Sequence, residues 1–154
     1  MARCLSLFKT HGGGCFLPLT LMRIALGLFF FASGFNKVFI PANQAIMLDT
    51  ITEAGIPFPA FMAVFVASCE TLFGLLLAIG LLSRLSALVL TLISMVALLT
   101  VGLHQIPADI NALTWYSWLF YLPESGYILI GLLIMVQGSG PFGVDRIITR
   151  KYIP

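Results

Sequence analysis

The sequence predicts an all-α integral membrane protein: a bundle of four transmembrane helices with both termini in the cytoplasm. Three observations point there. Sixty per cent of the 154 residues are apolar and only 9% are charged, against about 45–50% and 25% in an average soluble domain. Four stretches are apolar over lengths that match a bilayer core of about 30 Å. The basic residues also gather on the loops of one side, as short cytoplasmic loops do. A soluble domain of this size has a large surface to cover with polar groups. Eight basic and six acidic side chains cannot cover it. The same figures exclude a disordered chain. A net charge of +2 is too weak for a nucleic-acid binder.

The whole chain, 1–154, reads as a single membrane domain. Residues 1–15 form a short cytoplasmic lead, with Gly12-Gly13-Gly14 as its flexible join. Arg3 and Lys9 ahead of an apolar stretch look like the start of a secretory signal. Arg23 interrupts that stretch, which is also too long for a signal core, so it is expected to persist as span one, about 16–40. Pro41 ends it. Gly55, Pro57 and Pro59 lead into span two, about 59–82. Pro59 suits a first helical turn, where its missing N–H costs nothing. Ser83-Arg84 makes a tight turn to span three, about 85–103. Span four is expected over about 119–137, with Pro123 either opening or kinking it. Residues 138–154 form a basic cytoplasmic tail. None of the four spans carries the polar stripe of a soluble amphipathic helix.

Four spans place Arg3, Lys9, Arg84, Arg146, Arg150 and Lys151 on one side. The opposite loops hold Asp49, Glu53 and Asp109 and no basic residue. That asymmetry sets the orientation. Trp115, Tyr116, Trp118 and Tyr121 crowd the start of span four. They read either as an interfacial anchor or as one wall of a ligand site.

Four charges remain within or at the edge of spans: Arg23, Lys37, Glu70 and Glu124. A charge at the bilayer centre costs at least about 2.5–3.5 kcal/mol, so such groups face the bundle, pair, or reach an interface. At about 100° per residue, Arg23, Gly27, Phe30, Gly34 and Lys37 share one stripe of span one. Glu70, Gly74, Leu77, Leu81 and Arg84 share one in span two, and Glu124, Gly131, Met135 and Gly138 one in span four. Glycine stripes let helices approach closely in lipid.

Helical side chains lean towards their own N-terminus. Lys37 therefore leans inward along the outgoing span one, and Glu70 leans outward along the returning span two. A Cα depth difference of roughly 10 Å, at about 1.5 Å per residue, is within reach of two long side chains. A Lys37–Glu70 pair in a cavity open to the outer face follows. It reads either as an ion pair that fixes helix register, or as a proton relay or ligand site. Arg23 leans the other way and is expected to snorkel to the cytoplasmic interface, with Asp145 or a lipid phosphate as partner.

Cys4 and Cys15 fall on the reducing side, where a structural disulfide is not expected, and no C-x-x-C pair is present. Cys69 reads either as a small buried residue or as a redox thiol, which burial in lipid would make a weak nucleophile. His11 and His104 lie on opposite sides, so no metal site is expected. His104, beside Gln105, reads as an interfacial residue or as a quinone or proton contact. No phosphate loop, dinucleotide fingerprint or other self-sufficient catalytic constellation is present.

The spacing Arg23-x3-Gly27-x6-Gly34-x2-Lys37 resembles the start of the DoxX family. Glu70-x3-Gly74, followed by Gly80-Leu-Leu-Ser-Arg84, is similar to its second signature, and Gly138-Ser-Gly140 with Asp145 to its ending. The resemblance covers about residues 17–146. It implies a four-helix, multi-pass protein of the bacterial inner membrane, with Arg23, Lys37, Glu70, Arg84 and Asp145 as its polar set. Relatives include a subunit of a thiosulfate:quinone oxidoreductase and partners in thiol-stress or protein-maturation complexes. A redox cysteine pair is lacking here.

The expected function is an accessory membrane subunit of a quinone- or thiol-linked redox complex. A quinone would sit between spans one, two and four, with Lys37 or His104 as donor and Glu70 as the proton-carrying catalytic candidate. The alternative is a non-catalytic assembly or stress-response partner whose glycine-lined faces bind another membrane protein. A small carrier ranks below both, because neither internal repeats nor interrupted helices stand out in the sequence.

Overall fold

The computed structural model describes residues 16–140 and 142–145. The lead, the outermost basic residues, Cys4, Cys15 and His11 lie outside the described residues. The described chain is helical: α1 (Phe16–Phe39), α2 (Pro41–Glu53), α3 (Pro59–Ile79), α4 (Ser83–Thr100), a 3-10 turn (Gly102–Gln105), α5 (Ala112–Tyr121) and α6 (Pro123–Gln137). Helix α1 packs along α3, α4 packs along α6, and α3 and α4 join the two pairs. Leu19, Leu26, Phe30, Leu77, Ala87, Leu90 and Ile134 form the core between them.

Three segments are long and apolar enough to cross a membrane: Leu17–Phe39, Pro59–Ile79, and Ser83–Gln105, which adds the 3-10 turn to α4. The expected fourth span is not one continuous helix. Helices α5 and α6 meet at 72°. The break falls at Leu122, which is extended at φ −74° and ψ 123°, because a following proline disfavours the helical conformation. Pro123 therefore opens α6 rather than kinking a longer helix. The 15 residues of α6 rise only about 22 Å at about 1.5 Å per residue. An interrupted helix is thus present that the sequence did not reveal. The hydroxyl of Ser125 donates to the Leu119 carbonyl at 2.7 Å and so bridges the corner.

Two boundaries also move. The expected Ser83-Arg84 turn is the first turn of α4, and the reversal itself is Gly80-Leu81-Leu82. Gly80 takes a left-handed φ of 77°, and Leu81 N–H donates to Leu76 O at 2.9 Å, which is a Schellman ending. The loop expected between spans one and two folds instead as α2, opened by Pro41 in its first turn. Helix α2 lies against both α1 and α3 and buries only Ile51 among its own residues.

The glycine stripes do the work expected of small residues. A Cβ on Gly27 would strike the backbone of Ala78 and Gly74, and one on Gly34 would lie 2.6 Å from Ala67 O. One on Gly74 would lie 2.9 Å from Gly27 O. Helices α1 and α3 are therefore in backbone contact over several turns. Thr91 of α4 packs in the same way on Gly131 of α6. These faces are filled by neighbouring helices of the same chain, so they are not free to bind another protein.

Gly74→Ala is expected to force α1 and α3 apart and to destabilise the protein by about 1–3 kcal/mol, the usual cost of overpacking. Thermal unfolding in detergent measures this. Gly126→Ala is the control, since a Cβ there meets nothing within 4 Å.

Candidate functional site

Lys37 sits in the last turn of α1, and Glu70 faces it from the middle of α3. The Lys37 ammonium donates to both carboxylate oxygens, at 2.7 Å to Oε2 and 3.0 Å to Oε1. Ser33, one turn before Lys37, donates to Oε2 at 3.3 Å. The Glu70 side chain is 6% exposed and that of Lys37 27%. The two charges meet because the Gly27–Gly34–Gly74 contact holds their helices close and because each side chain leans towards the other. Three donated hydrogen bonds leave Glu70 well satisfied. An ammonium has three N–H donors, so Lys37 keeps one for another acceptor.

The pair lies in the wall of a cavity of about 710 Å³. Helices α1, α2, α3 and α4 and the first turn of α6 enclose it. Ile51, Met62, Phe65, Val66, Ile93 and Val96 supply apolar surface, while Asn36, Asn43, Thr50 and Thr100 supply polar groups. Glu124 reaches the same cavity from α6. Its Oε2 is buried without a hydrogen-bond partner. A smaller cavity, about 380 Å³, lies on the other flank of α2 and is lined by Lys37, Val38, Gln44 and Val64. Lys37 thus borders both spaces, and α2 stands between them.

The other residues singled out from the sequence fall elsewhere. His104 is exposed in the 3-10 turn beyond α4 and is not part of the cavity wall. Cys69 is half-buried on α3 and free. Tyr116, Phe120 and Tyr121 of α5 line a separate shallow groove with Leu113 and Ser117, and Trp115 and Trp118 lie outside it. None of the α5 residues is buried within the chain.

Arg23 does not reach out to an interface. It is 1% exposed and donates through Nη1 to Leu77 O at 3.0 Å and Ala78 O at 3.3 Å. These are last-turn carbonyls of α3, at the negative end of the helix dipole, and Leu77 O also accepts from Gly80 N–H at 3.1 Å. Backbone acceptors one helix away serve Nη1, while Nε is buried without a hydrogen-bond partner. Gly80 packs directly on the guanidinium, with Gly143 behind.

Asp145 serves the neighbouring helix end. Its carboxylate accepts from Leu82 N at 2.7 Å and Ser83 N at 2.9 Å, and its own N–H donates to Gly80 O at 3.0 Å. It therefore caps α4 from the far end of the chain, as carboxylates do at helix N-termini. Leu82 is held at a left-handed φ of 50°, a conformation costly for a residue with a Cβ. Arg84 donates to Val136 O near the end of α6, at 3.4 Å.

The sequence missed three members of these sites. Glu124 was marked as an intramembrane charge but not placed in the cavity. Helix α2 carried a proline start signal at Pro41. The capping role of Asp145 has no local signal.

The DoxX family model matches residues 18–103, more than half of the chain. The chain belongs to the DoxX family. No curated protein and no solved structure gives a match. The DoxX segment runs from the start of α1 into the 3-10 turn. It contains Arg23, Lys37, Glu70 and Arg84, whereas Glu124 and Asp145 follow it. The apolar helices and this membership together make the chain a membrane protein.

Replacing Lys37 by Ala leaves the Glu70 charge buried and unpaired. The expected cost is about 3 kcal/mol, the low end for breaking a buried pair. The Lys37→Ala/Glu70→Gln double variant should recover most of it. Equal, additive losses in a thermal-unfolding double-mutant cycle would show that the two side chains act separately.

Proposed function

We propose that the chain is an accessory subunit of an inner-membrane redox complex that holds a quinone in the cavity beside Lys37 and Glu70. In this reading the Lys37 end of the bundle faces outward, the termini are cytoplasmic, and α5 and α6 together make the fourth crossing. The observation that carries it is the ion pair in the wall of a largely apolar cavity among membrane helices. Small-molecule pockets span about 300–1,000 Å³, with apolar walls and a few placed polar groups. The cavity, at about 710 Å³, is of that kind. A bound quinone supplies a carrier for two electrons and two protons. Lys37 would donate its remaining N–H to a carbonyl oxygen, and Glu70, held by Lys37 and Ser33, would fix the position of that ammonium. The apolar side chains of α3 and α4 exclude water from the ring.

Apolar character alone fits many roles. What favours a ligand over a purely structural pair is that the pair faces the larger cavity and that Lys37 also borders the space on the other flank of α2. A register-fixing ion pair needs no cavity.

Quinone analysis of detergent-purified protein tests this reading. Quinone is expected to co-purify with the wild type and to be lost from folded Lys37→Ala and Glu70→Gln. Absence of quinone together with a stoichiometric membrane partner would overturn it in favour of an assembly role.

A further inference from the structure

Helix α5 forms no part of the cavity wall, and none of its residues is buried within the chain. Its ten residues rise about 15 Å at about 1.5 Å per residue, half of a bilayer core of about 30 Å. It carries no charge, yet Trp115, Tyr116, Trp118 and Tyr121 stand exposed on it. At about 100° per residue, Thr114, Ser117, Trp118 and Tyr121 share one side, and each of these side chains carries an O–H or N–H. Ala112, Leu113, Leu119 and Phe120 lie on the opposite side, with Trp115 and Tyr116 among them. The helix is thus amphipathic without being charged.

The bend sets how this helix meets the membrane. Arg84 meets Val136 and Thr91 meets Gly131, so α6 runs antiparallel to α4. Pro123, the first residue of α6, stands about 12 Å beyond the Thr91 contact at about 1.5 Å per residue, level with the last turn of α4. Thr100 in that turn and Glu124 line the same cavity as Lys37. Helix α5 therefore joins α6 at the Lys37 end of the bundle, at 72° to it. With α6 along the membrane normal, α5 lies about 18° from the membrane plane, the complement of that angle. A usual helix tilt of about 20° still leaves it nearer the plane than the normal.

We infer that α5 is an in-plane membrane anchor, lying in the headgroup layer of a zwitterionic lipid surface and finishing the crossing that α6 carries through the hydrocarbon. Trp and Tyr rings prefer that layer, where an apolar body meets the acyl chains and a polar tip meets the headgroups. The hydroxyl-bearing side faces the headgroups, and Leu113, Leu119 and Phe120 face the acyl chains. No lysine or arginine stands between Arg84 and Arg146, so attachment comes from buried apolar surface and not from attraction to anionic lipid. The inference is independent of the quinone reading.

Trp115 and Trp118 are the only tryptophans of the chain, so intrinsic fluorescence reports on α5 alone. The test places the full chain in phosphatidylcholine vesicles whose acyl chains carry bromine, a contact quencher, either near the headgroup or near the tail end. Shallow bromine is expected to quench the wild type about twofold more strongly than deep bromine, as for a helix seated at the headgroup boundary. The single-tryptophan variants fix the orientation. Trp118, on the hydroxyl side, is expected to be the shallower ring in Trp115→Phe, and Trp115 the deeper in Trp118→Phe. An upright α5 running on into α6 reverses that order, with Trp118 the deeper by about 4.5 Å. Adding phosphatidylglycerol or salt is expected to leave the quenching unchanged. Stronger quenching by deep bromine, or the reversed order, overturns the inference in favour of an upright helix. Emission quenched by aqueous iodide but by neither bromine overturns it, because α5 then stands in water. Emission reached by none of these quenchers overturns it in favour of a second copy covering the helix. A response to phosphatidylglycerol that salt removes overturns the zwitterionic assignment.

Discussion

The close approach of α1 and α3 is the constraint on which the rest of the structure depends. Lipid supplies no hydrophobic drive between helices, so association relies on packing and polar contacts. Gly27, Gly34 and Gly74 remove the side chains that would keep the two backbones apart. Both intramembrane cations of α1 then fasten onto α3. Lys37 binds a carboxylate in its middle, and Arg23 binds carbonyls at its end. Each cation is tolerable only because the other helix is near, and the helices stay near partly because of the cations. The cavity is the space that this pair of helices leaves once α2 and α4 close round its outer end.

What the sequence disclosed, and what it hid, follows from the range of each interaction. The Lys37–Glu70 pair was legible because 3.6-residue periodicity and the tilt of helical side chains fix direction and depth without tertiary knowledge. The glycine stripes were legible for the same reason. The reach of Arg23 to an interface was misread because its hydrogen-bond acceptors are backbone carbonyls, which every residue carries and no sequence pattern marks; the expected carboxylate, Asp145, does attract its charge. The α5–α6 break turned on Pro123, a residue consistent with both an opening and a kink, and its neighbours alone do not decide between them. Helix α2 lacks a strong apolar stripe, since its faces meet cavity on two flanks rather than solid core. The place of Glu124 depends on α6 packing beside α4, a contact between segments far apart in the chain.

The family segment and the candidate site overlap unevenly. The matched stretch, residues 18–103, holds the ion pair and the cavity walls drawn from α1 to α4. Glu124 arrives from beyond it, on a helix that begins with a bend. The cavity is thus lined mostly by the matched segment, with Glu124 brought in from the C-terminal part of the chain.

The Asp145 contact has a consequence for the order in which the molecule can be completed. The turn it holds lies near the middle of the chain, and Asp145 is made more than sixty residues later. Until α6 and the turn beyond it have been made, the carboxylate that receives the Leu82 and Ser83 N–H groups does not yet exist. The α3–α4 hairpin is therefore a clasp whose catch is made after α6, and it can close only when that later segment returns to it.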